Sequence, residues 1–460
     1  MRTTFLFGMA LASVRMALAQ PDIPANSVKP TPAQLRYQQQ ELIGFLHVGV
    51  NTFSDREWGT GNESPASFNP TALDARQWVR TAKEAGMKTL IITAKHHDGF
   101  CLWPSKYTEH SVKNSPWRGG KGDVVRELSD ACRAGGVKLG IYLSPWDMHE
   151  PTYGTASYNQ HYLNQLRELL TNYGPVAELW MDGAKGENAR NMEYDFEAYR
   201  KLIGELQPQA VIFSDVGPGV RWIGNENGFA GETCWSTIRT DGMDIGKADS
   251  KYLNTGDPAG DKWIPGECDV SIRPGWFYHA AEDAKVKTPA TLFDIYLKSV
   301  GRNGTLLLNL PPDKRGLIKE EDVAALRGLR SEIRKAFGQN KALKAPVAEA
   351  IIDGGKLTDG DNNTYLAAAN GQKNAVMTLN LGKEQLVRYV ALQEPIRLGQ
   401  RVMKFRVEAK QQGTWVPLAT GTTIGYKRLL KLEKPVTARQ VRVVIEEANN
   451  TVALAEFSVY

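Results

Sequence analysis

Residues Asp74–Ala94 read DARQWVRTAKEAGMKTLIITA and combine a helical pattern with a strand pattern. Apolar side chains in the first part recur every three or four residues, which places them on one face of a helix: Ala75, Trp78, Val79, Ala82 and Ala85. Gly86 then ends the helical pattern. The run KTLIITA that follows has the length and apolar content of a buried strand. The stretch predicts an amphipathic helix that packs against the next strand.

The same alternation of strands and helices extends over residues 40–338. The other strand-like runs are Ile43–Val50, Val137–Leu143, Val176–Met181, Ala210–Ser214 and Thr305–Leu310. Amphipathic helical segments separate or follow them: Gly122–Gly135, Tyr158–Tyr173, Asp195–Gln207, Pro289–Gly301 and Ile318–Phe337. Such repeats fold by right-handed crossovers into a parallel sheet, and about 300 residues suit a (β/α)8 barrel with insertions. A doubly wound sheet is the alternative, but no glycine-rich phosphate motif follows the first strand.

A different pattern begins near Ala345. Residues 346–460 contain no His or Cys and only one of the eleven Trp residues, Trp415. Turn residues separate short alternating runs: Ala375–Leu381, Tyr389–Leu392, Lys404–Lys410, Thr414–Leu418, Arg428–Leu432 and Gln440–Glu446. This spacing is typical of a β-sandwich. We therefore predict a barrel over residues 20–345 and an all-β sandwich over residues 346–460.

The N-terminal residues 1–19 have the three parts of a secretory signal peptide. Arg2 provides the positive start, Phe5–Val14 is a short apolar run, and Ala17 and Ala19 form a small-x-small cleavage site. We predict an exported protein, periplasmic or extracellular, without membrane insertion, since the apolar run is too short to span a bilayer. Export permits disulfides, and Cys234 and Cys268, which flank an irregular region, could pair.

The overall composition is that of an ordinary globular protein. Of the 460 residues, 42% are hydrophobic and 23% are charged, which excludes general disorder and fibrous repeats. The formal net charge is only +5, and no basic run is interleaved with aromatic residues. The sequence therefore argues against a nucleic-acid partner.

Polar residues follow several of the predicted barrel strands, where barrel enzymes carry their active sites. Asp182 comes directly after VAELWM, so we expect its carboxylate to be fixed at the barrel mouth. The alternative, that Asp182 caps the next helix, is disfavoured because that helical pattern begins only near Asp195. Adjacent His96 and His97 could bind a metal, donate to sugar hydroxyls or form a polar turn. Neighbours on an extended strand point in opposite directions, which makes joint metal binding awkward.

A second carboxylate paired with Asp182 would form the apparatus that cleaves a glycosidic bond. Three glutamates in the later loops could supply it, and their spacing does not separate them: Glu226, Glu232 and Glu267. Four tryptophans could offer flat surfaces to a sugar, although each alone is more often a core residue: Trp58, Trp103, Trp222 and Trp276.

At these residues the sequence resembles the α-L-fucosidases of glycoside hydrolase family 29, over roughly residues 35–340. The segments that carry the resemblance are FLHVGVNTF, DREWGTG, TAKHHDGFCLWPS, GIYLSPWD, ELWMDGAKG, RWIGNENG, PGWFY and NGTLLLNLPPDKRG. The resemblance implies a somewhat irregular (β/α)8-type barrel followed by a β-sandwich. The NTF-DREWG form and the GNE segment are closer to the subfamily that acts on α-1,3- and α-1,4-linked fucose.

The resemblance also implies the chemistry and its residues. It implies a retaining exo-α-L-fucosidase acting by double displacement on fucosylated oligosaccharides or glycoconjugates, without a catalytic metal or cofactor. The nucleophile would be Asp182 and the acid/base Glu226, with Glu232 as the alternative acid/base. Substrate-binding residues would be His47, Glu57, Trp58, His96, His97 and Tyr142, with Trp276 as a stacking residue.

The C-terminal segments LTDGDNNTYL and VRVVI resemble a discoidin-type carbohydrate-binding module. Such modules often hold a structural calcium ion, to which Asp359 and Asp361 could contribute. Several alternatives stay open: a broad-specificity α-L-fucosidase, a non-catalytic fucose-binding protein, a metal-dependent hydrolase using the histidines, or a transglycosylase. The oligomeric state is not indicated by the sequence.

Overall fold

Eight parallel strands form a closed barrel, with neighbours in the order one to eight. The computed structural model describes residues 23–186, 189–348 and 356–460, so the predicted signal peptide lies outside the described residues. The barrel strands are Leu42–Leu46, Thr89–Lys95, Lys138–Leu143, Val176–Trp180, Val211–Ser214, Val220–Trp222, Gly266–Ser271 and Thr305–Asn309. Together with the all-β unit that follows, this architecture confirms the predicted fold class.

Amphipathic helices cover the outside of the barrel. They are Ala75–Ala85, Val124–Gly135, Ser157–Asn172, Phe196–Leu206, Ser250–Thr255, Pro289–Lys298 and Glu320–Phe337. Aspartates cap several of their N-termini: Asp74, for example, accepts a hydrogen bond from the backbone N–H of Arg76. A further helix, Pro32–Gln38, precedes the first strand, and the short helix Val50–Ser54 follows it. No helix among the described residues is both long and apolar enough to cross a membrane.

Two barrel strands were missing from the sequence prediction. Arg221 and Trp222 lie outside the six predicted strand-like runs, but they belong to the sixth strand. This strand has only three residues, and the five-residue connection before it, residues 215–219, contains no helix. The seventh strand, GECDVS, carries buried polar side chains on its inner face and so lacks an apolar run. These features make the barrel irregular.

Aromatic rings fill the upper part of the barrel interior. The indole of Trp180 stacks on the ring of Phe213 with centroids 3.9 Å apart and planes at 8°. The ring of Tyr142 lies on another side of Trp180, with centroids 5.3 Å apart. Phe45, which lies on the first strand, contacts the rings of Tyr142 and Trp180 and completes the group. The stacked rings form a solid floor beneath the C-terminal ends of the strands.

Two carboxyl groups are buried below this floor. Glu267 accepts hydrogen bonds from Tyr37 Oη at 2.6 Å and from Trp180 Nε1 at 2.8 Å. Neither carboxyl oxygen of Glu178 has a donor among the described residues. Burial, and then the adjacent Glu267 carboxylate, raise the pKa of Glu178 well above its usual range. Glu178 therefore carries the proton of the pair, and Glu267 is the acceptor that holds Trp180.

The C-terminal unit is built on two long strands, Ala375–Gln393 and Arg428–Ala448, which pair antiparallel. Register shifts interrupt their ladder, so four of the predicted short strands are in fact the two halves of these two strands. The remaining strands are Val347–Ala348, Leu366–Ala367, Val402–Gln411, Thr414–Gly421, Ala453–Leu454 and Glu456–Val459. They bury an apolar core separate from that of the barrel. The exact boundary near Ala345 stays a prediction.

All four cysteines are free thiols in buried positions. Cys234 and Cys268 lie in one small apolar cluster with Ile223 and Ala230. The pairing of Cys234 with Cys268 that the sequence allowed is therefore not present in the structure. Cys132 is a small buried residue on the helix Val124–Gly135.

The proton on Glu178 makes stability depend on pH. A glutamate in the unfolded chain ionises near pH 4.3, whereas Glu178 stays protonated in the fold; wild-type stability therefore falls as the pH rises above that value. The amide in Glu178→Gln has no proton to lose. We expect the apparent Tm of the variant, relative to wild type, to increase steadily between about pH 4.5 and 8. Thermal unfolding followed by circular dichroism at several pH values measures this difference.

The matched control is Glu193→Gln, since Glu193 lies on the surface. Its Tm difference from wild type should stay nearly constant over the same range. A constant difference for Glu178→Gln as well would show that Glu178 is ionised in the folded protein.

Candidate active site

A cavity of about 450 Å³ opens at the C-terminal ends of the barrel strands. This is the end at which barrel enzymes bind their substrates. Eight of the nine predicted site residues line the cavity: His47, Trp58, His96, His97, Tyr142, Asp182, Glu226 and Trp276. They come from the ends of different strands and from loops, so only the closed barrel brings them together.

Asp182 lies at the end of the fourth strand, two residues after Trp180 and four after Glu178. Because alternate residues of a strand face the same side, these three side chains all point into the barrel. Asp182 Oδ1 accepts a hydrogen bond from the backbone N–H of Ala184 at 2.7 Å, and Oδ2 accepts one from Tyr142 Oη at 2.9 Å. The carboxylate is thus held in one orientation. The cap of the next helix is Asp195 and not Asp182.

His47 is held neutral in one tautomer by its neighbours. The amide Nδ2 of Asn309 donates to Ser271 Oγ and to the backbone carbonyl of Trp276. Asn309 Oδ1 must therefore accept from His47 Nδ1, at 2.9 Å. Burial lowers the pKa of His47 to about 3. Its Nε2 then faces the cavity as a hydrogen-bond acceptor.

His96 and His97 both line the cavity, contrary to the expectation that they point in opposite directions. The second strand ends at Lys95, and the two histidines belong to a turn in which the N–H of Gly99 bonds to the carbonyl of His96. Gly99 has φ +80° and a Cβ there would lie 2.4 Å from Asp147, so this turn requires glycine. The ring centroids of His96 and His97 are 4.1 Å apart.

The tautomer of His97 follows from its partner. Ser144 Oγ donates to the carbonyl of Trp146 at 2.6 Å, so it accepts from His97 Nδ1 at 2.7 Å. His97 Nε2 lies 3.8 Å from the Asp182 carboxylate. Burial lowers the pKa of His97, although Asp182 opposes this shift. Burial and the two neighbouring imidazoles likewise lower the pKa of His96. All three histidines are therefore uncharged and able to bind hydroxyl groups.

Glu226 lies on the loop after the sixth strand, and its carboxylate reaches the cavity mouth. Its Oε2 accepts a hydrogen bond from Trp276 Nε1 at 3.2 Å. Although the side chain is exposed, the surrounding walls partly desolvate the carboxylate and so raise the pKa of Glu226. The charges of Asp182 and Glu57 raise it further, while the bond from Trp276 lowers it.

The other two candidate glutamates lie elsewhere. Glu232 is 80% exposed and pairs with Arg302, with 3.2 Å between the charged groups. Glu267 lies under the aromatic floor and does not reach the cavity. Trp103 is a core residue, 1% exposed, and its indole donates to Glu168. Glu226 is therefore the candidate among the three glutamates that faces Asp182 across the cavity.

Glu57 is the predicted residue that does not line the cavity. Its carboxylate accepts hydrogen bonds from the backbone N–H groups of Trp276 at 2.7 Å and Phe277 at 3.1 Å. Its Oε1 also lies 2.6 Å from Nε2 of His279, which bonds to Asp55 on its other side. Glu57 thus fixes the segment that carries Trp276, and its direct contact with substrate stays a prediction.

Sequence reasoning missed several residues of the cavity wall. Asp269 accepts a hydrogen bond from Trp222 Nε1 at 2.9 Å, and burial raises its pKa well above the usual range. Asp215 accepts from the N–H of Gly246 at 2.6 Å, and burial raises its pKa to about 6. Asp269 could have been found from the alternation of Glu267, Asp269 and Ser271, whose side chains share one face of a strand.

The described residues contain no group of three or more His, Cys, Asp or Glu side chains arranged to hold a metal ion. Lys95, at the end of the second strand, pairs with Asp147 at 2.7 Å in a fully buried position. This ion pair supports the His96–Gly99 turn from below. Carboxylates, neutral imidazoles and aromatic rings thus dominate the site, and Lys185 and Lys247 also line the cavity.

A sugar-sized cavity with two carboxylates on different segments of a barrel is the arrangement found in glycoside hydrolases. Residues 33–331 match the family model described as Alpha-L-fucosidase, and residues 346–457 match that of the F5/8 type C domain. The first match covers more than half of the chain. The chain therefore belongs to the alpha-L-fucosidase family, with a discoidin-like C-terminal domain, and is a glycoside hydrolase.

Relatives and solved structures agree with this assignment. The chain is 46% identical to Alpha-L-fucosidase 1 of Arabidopsis thaliana over 443 residues, 94% of this chain and 87% of that protein. A relative from Oryza sativa subsp. japonica is 49% identical over 456 residues, 96% of this chain and 87% of the relative. The structure of a Ruminococcus gnavus GH29 fucosidase in complex with fucose superimposes with a TM-score of 0.89 at 36% identity, covering 96% of each chain.

Proposed function

We propose that the protein is a retaining exo-α-L-fucosidase in which Asp182 is the nucleophile and Glu226 the acid/base. The observation that carries the proposal is the pair of carboxylates, Asp182 and Glu226, in one cavity, together with the partial burial that raises the pKa of Glu226. Two carboxyl groups in different environments are the usual means by which one acts as an acid and the other as a nucleophile. A retaining mechanism requires them about 5–5.5 Å apart.

In the first step, Asp182 attacks the anomeric carbon of fucose and forms a glycosyl–enzyme ester. Tyr142 and the N–H of Ala184 orient its two oxygens. Protonated Glu226 transfers its proton to the glycosidic oxygen, so that the leaving sugar departs as an alcohol. The raised pKa of Glu226 supports this role, since the group must hold a proton before the step.

In the second step, Glu226 acts as a base. It accepts a proton from water, the resulting hydroxide attacks the anomeric carbon, and the ester bond to Asp182 breaks to release fucose. Glu226 is protonated again and ready for another cycle. Its position at the open mouth of the cavity gives water access to it.

The remaining cavity residues suit the recognition of one terminal sugar. The free Nε2 atoms of His47 and His97 accept hydrogen bonds from hydroxyl groups, and His96 lies between them. Trp58, which is 49% exposed, and Trp276 offer apolar ring surfaces at the mouth. The floor of stacked rings closes the lower end, as an exo-acting enzyme needs. We propose α-1,3- and α-1,4-linked fucose in fucosylated oligosaccharides or glycoconjugates as the substrate, on the basis of the NTF-DREWG and GNE segments. The N-terminal pattern of residues 1–19 supports a periplasmic or extracellular location of the protein.

Fucose release from three substrates tests the proposed specificity. We expect release from a Lewis-type trisaccharide and little or none from 2′-fucosylated lactose or from an aryl α-fucoside with a poor leaving group, such as phenyl α-L-fucoside. Asp182→Asn should lower turnover at least a thousandfold, because the amide cannot act as the nucleophile, while fucose still binds. Release from all three substrates would make the enzyme a broad-specificity α-L-fucosidase. A variant of near-wild-type rate would remove Asp182 as the nucleophile.

The acid/base role separates Glu226 from Glu232. Glu226→Ala should lose about a hundredfold or more in kcat, and azide should restore turnover of an activated fucoside by attacking the intermediate. Glu232→Ala should keep nearly the wild-type rate. In the wild type, activity should fall as the pH rises through the raised pKa of Glu226, because the acid form is lost. Azide rescue of Glu232→Ala alone would reassign the acid/base.

We also propose a calcium ion in the C-terminal domain. Asp359 Oδ2 accepts from Thr364 Oγ1 at 2.7 Å, and this hydroxyl lies 2.9 Å from the carbonyl of Asp361. Burial, with the Asp359 carboxylate adding to it, raises the pKa of Glu456 to about 7, against a hydrogen bond from Gly360 N–H that lowers it. Carboxylates, a hydroxyl and carbonyls are the oxygen ligands that calcium prefers. Asp359 and Glu456 would hold the ion, with Asp361 contributing its carbonyl.

Chelation tests the calcium proposal. Exhaustive EDTA treatment should lower the unfolding temperature of the C-terminal domain, and added Ca²⁺ should restore it, because an ion that binds only the folded state stabilises it. Asp359→Asn should remove this response, whereas Asp261→Asn, a change in an exposed barrel loop, should keep it. An unfolding temperature that does not respond to EDTA or Ca²⁺ in the wild type would contradict the proposal.

A further inference from the structure

The loop that carries Glu226 ends against the β-sandwich domain. It leaves the sixth barrel strand after Trp222 and runs to Thr237, where a short strand begins. Glu226 lies in its first part, and residues 232–236 in its last part contact the connection between the sandwich strands Thr414–Gly421 and Arg428–Ala448. We propose that the sandwich domain positions the acid/base Glu226, acting through Thr422, Thr423 and Arg428. The inference rests on the acid/base role proposed above.

The first set of contacts reaches the loop at residues 232 and 233. Thr422 Oγ1 lies 2.8 Å from Thr233 Oγ1 and 3.3 Å from the carbonyl oxygen of Glu232. Arg428 Nη1 donates to the same carbonyl at 2.7 Å. The carboxylate of Glu232 takes no part in these contacts and points to Arg302. The sandwich thus holds the main chain of the loop at this point.

The second set of contacts between the loop and the sandwich is buried and involves residues 234 and 236 of the loop. Thr423 Oγ1 accepts a hydrogen bond from the backbone N–H of Cys234 at 3.0 Å. Gln400, also in the sandwich, donates from Nε2 to the carbonyl of Cys234 at 3.1 Å and accepts from the N–H of Ser236 at 2.8 Å. Cys234, Thr423 and Gln400 are all buried. Buried backbone groups have to be paired, so the sandwich supplies partners that the loop cannot replace with water.

The barrel holds the other parts of this loop. Asn254 Nδ2 donates to the carbonyls of Ile223 and Phe229, both at 3.0 Å. Arg302 Nη1 donates to the carbonyl of Ala230 at 3.0 Å. Residues up to 230 are thus fixed by the barrel. Residues 232–236 are held by both domains, since Asn303 of the barrel also donates to the carbonyl of Cys234 at 3.0 Å. The conformation of the loop depends on both domains.

The position of the Glu226 carboxylate depends on this loop. The carboxylate is exposed. The hydrogen bond that it accepts from Trp276 Nε1 is 3.2 Å long, at the long end of the usual range. A general acid has to lie within hydrogen-bond reach of the oxygen it protonates, and a displacement of about 1 Å can cost a hundredfold in rate. Thr422, Thr423 and Arg428 touch neither the cavity nor the reacting atoms, so they are positioning residues.

The test removes the hydroxyl groups while keeping the side-chain shape. In Thr422→Val/Thr423→Val, kcat/KM for a fucosylated trisaccharide should fall about tenfold or more. For 2,4-dinitrophenyl α-L-fucoside it should change less than about twofold, because this leaving group departs without protonation. Thr423→Ser keeps the hydroxyl and should retain both rates. Thr420→Val, an exposed position of the same domain, is the matched control.

The outcome for Glu226→Gln decides how the result for the threonine variants is interpreted. Glu226→Gln should show the same selective loss on the trisaccharide, to a larger degree. If Glu226→Gln is selective but the threonine variant loses both substrates equally or neither, the inference is overturned and the acid/base role stands. If Glu226→Gln is not selective, both the acid/base role and the inference fail. Should the double variant not fold, as judged by circular dichroism, Thr422→Val alone must show the selective loss.

Discussion

The hydrogen bond from Trp180 to Glu267 is the contact on which the arrangement of the cavity depends. It fixes the indole against Phe213 and Tyr142, and Tyr142 in turn donates to Asp182. The carboxylate that accepts from Trp180 can exist inside the barrel because Glu178 beside it holds a proton. A chain of contacts therefore runs from the buried carboxyl pair to Asp182, and an apolar floor alone would not orient Tyr142.

Most of the fold could be predicted from the sequence because helical and strand periodicities are strong where one face is apolar. The prediction missed the sixth and seventh strands for a physical reason: their inner faces hold Trp222, Glu267 and Asp269 in place of aliphatic side chains. When only the sequence pattern is considered, polar residues that point into a barrel are predicted as loop residues. The two long sandwich strands were divided for a related reason, since their register shifts interrupt the alternation.

The candidate site was predictable only in part. Asp182 could be placed from its strand, and the resemblance to a family supplied the histidines and Glu226. What the sequence could not provide were relations between distant segments: that Glu57 binds the backbone of Trp276 and Phe277, and that both histidines of the His96–Gly99 turn face the same cavity. Such contacts depend on loop conformation, which local periodicity does not describe.

The uncharged state of the three histidines determines whether their rings can still accept hydrogen bonds at acidic pH. An imidazole that gains a proton becomes a donor at both nitrogens and can no longer accept from a sugar hydroxyl. Because burial lowers the pKa of His47 to about 3, its ring keeps an acceptor atom under mildly acidic conditions, and burial shifts the pKa values of His96 and His97 in the same direction. In the proposed mechanism, the hydroxyl acceptor of His47 is thereby kept apart from the proton transfers of Glu226, and mild acidification of the surroundings leaves that acceptor intact.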